Sequence, residues 1–307
     1  DHNTKYSVNI YGAAQTAPDF DHLAHLVAPA TVDACYLHDG TGTVGGYKNE
    51  AGQWNTAGHR DRIVHVDDAA LAIFARLYDE PGTPPRRARL PALHAGTLNS
   101  VLRKLADYLR RLGDLGADYY ATEMWHETMQ QKDGTIVRRA PGDNRFPADP
   151  SDWVLSGPHF FLANPYNKTP HRSCGSNKAY DVLDLETLPD AYLPRSNYHP
   201  MPDRAEYLRR VPRVSWTEPG EDAPKPVTDY YRLCFRGMIG PSSERTLIGA
   251  LIPAGAAHIN GAQSSAFRAV DVLLASTSIT ASLLADFYIK TLGRANLHSS
   301  WTTLPQL

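Results

Sequence analysis

The fold is decided by two segments, YYRLCFR at residues 230–236 and RTLIGALIP at residues 245–253. The first alternates apolar with polar side chains, which is typical of a strand with one buried face. The second is an almost continuous apolar run bounded by proline, which is typical of a more deeply buried strand. We therefore predict two strands in this part of the chain.

The sequence around these strands predicts helices as well. Apolar residues recur at helical spacing over residues 98–112 and over residues 267–290. Gly113 is the predicted C-terminal stop of the first of these helices. Residues 125–139 predict a hairpin because Lys-Asp-Gly at 132–134 is a turn sequence. The chain as a whole thus predicts an α+β protein with mixed sheets and flanking helices.

A cluster of proline, glycine and aspartate at residues 141–150 predicts a boundary between two subdomains. We expect one subdomain over residues 1–150 and a second over residues 151–307. Within neither do we find an internal repeat or a low-complexity segment.

Composition narrows the classes of function. Lys and Arg total 31 against 33 Asp and Glu, so the net charge of −2 argues against non-specific nucleic-acid binding but leaves room for a local basic face. The sequence has no run of eighteen or more apolar residues, so we expect no membrane span. The three cysteines are far apart and form no Cys-x-x-Cys pair, which favours free thiols in a reducing cytoplasm.

Catalytic motifs are incomplete in this sequence. Asn-Pro-Tyr at residues 164–166 resembles the Asn-Pro-Pro-Tyr motif of amino-methyltransferases but lacks the second proline, and no glycine-rich cofactor loop precedes it. We therefore interpret these residues as a structural turn. The thirteen histidines have no cysteine or carboxylate partner at a typical metal-ligand spacing. We assign no catalytic and no metal-binding residue to this chain.

Several ordered motifs in the second half resemble one family. They are the two strand segments, SGPHF at residues 156–160, LPRSNY at residues 193–198 and SLLADFY at residues 282–288. Together they are similar to the specificity region of large adenine-specific DNA methyltransferases. That family includes single-chain type II restriction–modification enzymes and the methyltransferases of the BREX and DISARM phage-defence systems.

The resemblance implies DNA sequence recognition as the target-recognition part of an adenine-N6 DNA methyltransferase. Residues 151–307 would be the target-recognition domain and residues 1–150 the N-terminal segment of the recognition region. In the family the cofactor loop and the Asn-Pro-Pro-Tyr motif lie in a Rossmann-like catalytic domain, which we expect outside this chain. S-adenosylmethionine would bind to that domain of the parent enzyme. We expect that this chain itself binds no cofactor.

The implied partners are double-stranded DNA and the catalytic methyltransferase domain of the same polypeptide. Two alternatives from other classes stay open. One is a protein-interaction module that docks other defence-system subunits, which predicts a largely apolar exposed patch. The other is a stand-alone enzyme on an unfamiliar fold, which predicts a deep pocket with convergent titratable groups.

Basic residues placed in loops or beside strands are the candidates for DNA contact, because arginine and lysine bind phosphates and base edges. The candidates are Lys168, Arg172, Lys178, Arg195, Arg209, Arg210, Arg236 and Arg245. We assign Lys168 and Arg172 to phosphate. Arg236 and Arg245 flank the two predicted strands, so we expect them either to read bases or to stabilise the sheet as scaffold residues. For Arg232, which lies within the first strand, we expect the scaffold role.

Overall fold

The protein has an α+β fold. The computed structural model describes residues 7–108, 110–143, 145–176, 178–240, 243–292 and 297. Contacts divide the chain into unit 1, Asp1–Arg110 with Lys290–Gly293, and unit 2, Arg111–Ile289 with Arg294–Leu307. The predicted boundary near residue 150 lies inside unit 2, because strands on both sides of that position pair with one another.

Among its described residues, unit 1 has one pair of antiparallel strands and three α-helices. Its elements are β1 (Asp19–His22), α1 (Ala30–Leu37), β2 (Val64–Asp67), α2 (Asp68–Tyr78) and α3 (Leu98–Asp107). Helix α2 begins where the Asp67 carboxylate accepts a hydrogen bond of 2.7 Å from the Ala70 amide, which is an N-cap. Its buried face includes Leu71, Phe74 and Leu77.

Unit 2 is built on a four-stranded antiparallel sheet in the order β10-β9-β12-β3. The strands are β3 (Tyr119–Thr122), β9 (Arg232–Arg236), β10 (Gly249–Ile252) and β12 (Ala262–Phe267). Both predicted strands are therefore confirmed, the second over the latter half of its predicted length. The predicted difference in burial is wrong: β9 is buried at four of its five positions, whereas buried and half-buried positions alternate along β10. They are neighbours in register, with Gly249 opposite Phe235.

Smaller strand pairs and four α-helices complete the part of unit 2 that the structure describes. The pairs are β5 (Val154–Leu155) with β11 (Ala257–His258), which run parallel, and the antiparallel pairs β4 (Ile136–Arg138) with β8 (Tyr198–Pro200) and β6 (Lys168–Pro170) with β7 (Tyr180–Val182). The helices are α4 (Glu127–Lys132), α5 (Arg204–Arg210), α6 (Val270–Thr280) and α7 (Leu283–Thr291), of which the last two residues are counted in unit 1.

Glycine is required at position 249. A Cβ atom there would lie 2.7 Å from Cε1 and 2.8 Å from Cδ1 of the Phe235 ring, which is closer than real Cβ contacts come. Because Gly249 has no side chain, the fully buried Phe235 ring lies flat against the neighbouring strand. The glycine that interrupts the apolar run of the second strand segment is thus explained by packing.

The core of unit 2 has two clusters, and β5 contributes to both. Trp153 and Leu155 belong to one cluster with Phe160 and Ile252. Val154 belongs to the other, which contains Trp125, Ile136, Tyr198 and Tyr207. The alternation follows from strand geometry, in which successive side chains point to opposite faces.

Arg232 is fully buried in the main sheet. Its guanidinium donates to the carbonyl of Ala256 and to the hydroxyl of Ser264, and burial lowers its pKa to about 10. Ser264 in turn donates over 2.8 Å to Nε2 of His258, whose Nδ1 donates to the carbonyl of Ile259. Arg232 is therefore part of the scaffold, as the sequence suggested.

The predicted hairpin at residues 125–139 is wrong. Residues Glu127–Lys132 form α4, and β4 pairs with β8 instead of with a neighbouring strand. The Asp-Gly sequence ends this helix: Gly134 has a φ of +76°, and the Asp133 carboxylate accepts from the amide and hydroxyl of Thr135. The same turn residues thus serve as a helix terminus.

The predicted helix over residues 267–290 is two helices, α6 and α7, bent by 69°. The Ser282 hydroxyl accepts from the Ala285 amide and starts α7 as an N-cap. We expected the apolar residues of this segment to be core. Several are exposed instead, namely Val270, Leu274, Ile279, Leu283 and Leu284.

Helix α3 ends at Asp107, short of the predicted stop at Gly113, because the backbone becomes extended at Tyr108 (φ −83°, ψ 122°). Within the part of the chain that the structure describes, no single helix is long and apolar enough to cross a membrane. Among the described residues, α6 and α7 reach the required length and apolar composition only when they are taken together, and they are bent at the break between them.

Candidate nucleic-acid interface

Three arginines converge on a cleft of unit 2, which we call the arginine cleft. Its volume is about 410 Å³. The lining residues are Arg138, Arg139, Ala140, Pro141, Arg172, Cys174, Gly175 and Asn197. This set contains three guanidinium groups and no carboxylate.

Two segments bring the arginines together. Arg138 ends β4 and Arg139 follows it, whereas Arg172 lies in the connection between β6 and β7. The amide of Gly142 donates to the Arg172 carbonyl over 3.2 Å, and Nε of Arg172 donates to the Gly142 carbonyl over 3.1 Å. These reciprocal hydrogen bonds hold the loop after β4 against the β6–β7 connection.

The cleft arginines form no ion pair with a described residue, and Asp143 and Asp152 act on Arg139 only from a longer distance. Among the described residues, none of Arg138, Arg139 and Arg172 has a carboxylate within the 4.0 Å of an ion pair. Burial lowers the pKa of Arg139, and its Nε is buried without a hydrogen-bond acceptor in the described structure. Three like charges with unused donors favour an anion that accepts several hydrogen bonds at once.

A buried polar network lies behind the cleft. Asn197 donates through Nδ2 to the Tyr180 hydroxyl over 3.0 Å, and Tyr180 lies 3.2 Å from the Ser156 hydroxyl. Ser156 reaches Nδ1 of His159 over 3.1 Å, while Nε2 of His159 donates to the Arg195 carbonyl. Burial lowers the pKa of His159, which keeps it neutral.

This network joins two of the segments that carry the family resemblance. Ser156 and His159 belong to SGPHF, and Arg195 and Asn197 belong to LPRSNY. The backbone amide of Arg139 also donates to the Asn197 carbonyl over 2.9 Å. The two segments are therefore a framework that fixes one wall of the arginine cleft.

Of the eight predicted contact residues, three lie on the β6–β7 hairpin. Arg172 lines the cleft, and Lys178 is exposed in the same connection. Lys168 is half-buried at the first position of β6, so it lies in a strand and not in the predicted loop. The hairpin fixes its backbone through the pairing of Lys168 with Val182.

Three further candidates are engaged within the protein. Arg209 and Arg210 form ion pairs of 2.6 and 2.7 Å with Glu206 of the same helix. Arg195 donates over 2.8 Å to the Pro170 carbonyl and lies 3.6 Å from the Asp181 carboxylate. Their charges are compensated in place, unlike those of the cleft.

The two arginines beside the strands differ from each other. Arg236 is half-buried at the end of β9 and forms no ion pair with any described residue. Arg245 donates over 2.8 Å to the Ala281 carbonyl and lies 3.5 Å from the buried Asp286 carboxylate, which also accepts from two backbone amides. Arg245 therefore has the contacts of a scaffold residue.

Sequence reasoning missed Arg138, Arg139 and Asn197 as parts of the cleft. A signal for the arginines was present: they are two consecutive basic residues at the end of the apolar segment 136–137, just before a Pro-Gly turn. No local pattern marked Asn197, because its position in the cleft depends on the pairing of β4 with β8.

Asn164 and Tyr166 have the structural role that the sequence suggested. The Asn164 side chain accepts from the Tyr166 amide over 2.7 Å, which closes a turn. The Tyr166 ring stacks on buried Trp153 at 5.8 Å between centroids and 13° between planes. Its ring face is thus occupied by the core.

A second cleft, of about 380 Å³, belongs to unit 1. Its lining residues are Asp21, Tyr36, Arg60, Asp61, Ile63, His65, Gly96 and Thr97. The Tyr36 hydroxyl donates over 2.8 Å to Asp21, which raises the pKa of Tyr36, and His65 lies 3.7 Å from Asp21. Acids and bases are mixed here, so the charges largely cancel.

All three cysteines are free thiols, and in the described ranges no three His, Cys, Asp or Glu side chains come together as metal ligands. Comparison with known proteins finds no family model that matches the chain, no curated protein similar to it in sequence and no solved structure similar to it in fold.

Proposed function

We propose that this chain binds DNA through the arginine cleft of unit 2, as the target-recognition part of an adenine-N6 DNA methyltransferase of a restriction or phage-defence system. The observation that carries the proposal is the convergence of Arg138, Arg139 and Arg172 without any acidic partner in the cleft lining. Such a site is selective for an anion, and the phosphodiester is the anion that DNA presents.

The arrangement suits phosphate better than a base edge. A guanidinium offers a planar fork of donors that matches two phosphate oxygens, and three arginines line this one cleft. Phosphate contacts set the register of a protein on DNA, whereas base contacts give sequence preference. In this proposal the cleft fixes the position of the recognition domain on the duplex.

The methyltransferase part of the proposal is supported by the resemblance and by where its motifs lie. The segments at 156–160 and 193–198 form the framework behind the arginine cleft, so the motifs shared with the family stand beside the uncompensated charge. S-adenosylmethionine and the transfer of the methyl group belong, in this proposal, to a catalytic domain of the parent enzyme.

The test is an equilibrium binding titration with labelled duplex DNA at several salt concentrations. We expect dissociation constants of roughly 10⁻⁴–10⁻⁶ M for the separate chain and a salt-dependent affinity. Replacing Arg138, Arg139 and Arg172 together by Gln should weaken binding and make the slope of log K against log salt shallower. The expected change in slope is about 0.9 for each phosphate that the variant no longer neutralises.

The matched control replaces three exposed arginines of unit 1, Arg76, Arg87 and Arg103, by Gln. This variant has the same net charge as the cleft variant and should bind DNA like the unchanged protein. Equal weakening by both variants, or an affinity that does not respond to salt, would contradict DNA binding through the cleft.

A second candidate function is supported by the exposed apolar face of α6 and the start of α7. Val270, Leu274 and Ile279 are 68%, 52% and 63% exposed, and the buried face of α6 packs on the main sheet through Leu273. An excess of exposed large apolar side chains is typical of protein-binding surfaces. We infer that this face docks another subunit of the same defence system.

The two candidates are separable by one variant. Leu274→Glu with Ile279→Glu should leave DNA binding unchanged and should abolish a complex with proteins encoded beside this one, assayed by co-expression and gel filtration. A stable complex that survives both substitutions would remove the docking role from this face.

A further inference from the structure

An exposed aromatic ring lies on the same loop as the arginine cleft. Phe146 is 53% exposed and follows Pro141, which lines the cleft, by five positions. Large apolar side chains of this kind usually pack into a core. Here the ring stays at the surface, four positions after Gly142, whose hydrogen bonds with Arg172 hold the start of this loop at the cleft.

The ring is supported from within the protein. The guanidinium of Arg195 lies 4.8 Å from the centre of the Phe146 ring, within the range of a cation–π contact. The Tyr192 ring meets Phe146 edge to face at 5.5 Å. Arg195 is itself fixed by the Pro170 carbonyl, so the aromatic ring rests on an anchored support while about half of it faces solvent.

Two acidic groups near this ring form ion pairs. Asp143 pairs with Arg145 at 3.0 Å, and Asp181 pairs with His171 at 3.0 Å and with Arg195 at 3.6 Å. The cleft arginines and the exposed Lys178 have no such partner among the described residues. An anionic chain drawn to these basic groups would meet the exposed Phe146 ring on the same loop.

We propose that Phe146 stacks on an unpaired base of DNA whose adjoining phosphate lies in the arginine cleft. This inference rests on the proposed DNA binding and names the form of DNA that the site prefers. Every base has a π-face, so stacking on an aromatic side chain binds single strands without sequence preference. In a duplex the bases are stacked on each other, so the ring gains a partner only where a base is unpaired or extruded.

The experiment compares a twelve-residue oligothymidylate with a duplex of equal length, in anisotropy titrations of the whole chain. Phe146→Ala should lose about tenfold in affinity for the single strand and less than about twofold for the duplex. Phe146→Leu, which keeps an apolar side chain without a π-face, should behave like Phe146→Ala. Phe146→Trp should keep the affinity, and its indole fluorescence should be quenched when the single strand binds.

The control is Tyr231→Ala, an exposed aromatic of unit 2 with 62% exposure, which should change neither affinity. Wild-type affinity in Phe146→Leu, or equal losses on both DNA forms, would overturn the stacking while leaving the cleft intact. A protein that binds neither form of DNA would overturn the proposed function and the stacking together. Tighter binding of oligouridylate than of oligothymidylate would overturn DNA as the occupant.

Discussion

The arginine cleft of unit 2 and the cleft described in unit 1 are nearly equal in volume and different in electrostatic character. The arginine cleft of unit 2 measures about 410 Å³ and the cleft of unit 1 about 380 Å³. The lining of the first includes three arginines and no acid. In the second, Asp21 and Asp61 stand beside Arg60 and His65. A cleft suited to a polyanion therefore differs from another cleft of the same size in having basic side chains without acidic neighbours.

Charge reversal in each cleft is the strongest test of this difference. Arg172→Glu should reduce affinity for duplex DNA about 100-fold, or about 2.7 kcal/mol, because a charged donor is removed and a repelling charge is added. Arg60→Glu in unit 1 should change it less than about twofold. Anisotropy titrations at one low salt concentration measure both, and comparable losses would remove the distinction between the clefts.

Compensated arginines should contribute to folding where the cleft arginines contribute to binding. Arg245→Ala should lower the free energy of unfolding by about 2 kcal/mol, because the Ala281 carbonyl and the Asp286 carboxylate lose a charged partner. DNA affinity should not change.

Urea unfolding beside binding titrations separates these effects. Arg209→Ala is the control, since its exposed ion pair should contribute less than about 1 kcal/mol. A loss of DNA affinity in Arg245→Ala at unchanged stability would favour the base-reading role for this residue over the scaffold role.

Each unit contains a buried histidine whose protonation should make the stability of the protein depend on pH. Burial lowers the pKa of His258 in unit 2 to about 3 and also lowers that of His94 in unit 1. The unfolded chain therefore binds a proton below pH 6.5 that the folded protein does not bind. The stability contributed by a neutral histidine is complete above pH 6.5 and is lost as the pH falls below it.

We expect the free energy of unfolding to decrease by about 1.4 kcal/mol per pH unit for His258 between pH 6.5 and about 3. His258→Gln should remove that slope, and His94→Gln should remove a slope over a narrower range. Urea unfolding at half-unit steps of pH measures both. A His258→Gln protein with an unchanged slope would contradict burial of the neutral form.

The smallest expected effect comes from making the cleft of unit 1 resemble that of unit 2. Asp21→Asn with Asp61→Asn removes two negative charges and keeps an acceptor for the Tyr36 hydroxyl. We expect a gain of about threefold in DNA affinity at low salt, or about 0.6 kcal/mol. An unchanged affinity would mean that removing the acidic partners of Arg60 and His65 does not create a DNA site. Several arginines lining the same cleft would then be needed.

The sequence predicted those parts of the fold that depend on local pattern. The strand segments 230–236 and 245–253 and the helix that begins at Leu98 are marked by a periodicity of apolar residues that is visible in the local sequence. The hairpin at 125–139 failed because Asp133 and Gly134 are equally suited to ending a helix. Turn chemistry alone did not distinguish these two uses.

The candidate site was predicted in part for a similar reason. Arg172 was identified from its loop, but Arg138 and Arg139 reach it through the pairing of β4 with β8, which are far apart in the sequence. Arg209 and Arg210 met the same sequence criterion as Arg172, but they pair with Glu206, three and four residues earlier in the same helix. That spacing is a local signal for helical ion pairs, which sequence reasoning missed because it predicted no helix there. The convergence of Arg138 and Arg139 with Arg172 depends on tertiary contacts, and the sequence does not display those.

The exposed face of α6 also affects how the protein behaves as a colloid. Leucine and isoleucine side chains at the surface attract one another in water, and a net charge of only −2 supplies little repulsion between molecules. Added salt would screen what repulsion there is. Solutions of the protein should therefore scatter more light as ionic strength rises, and Leu274→Glu with Ile279→Glu should keep them clear.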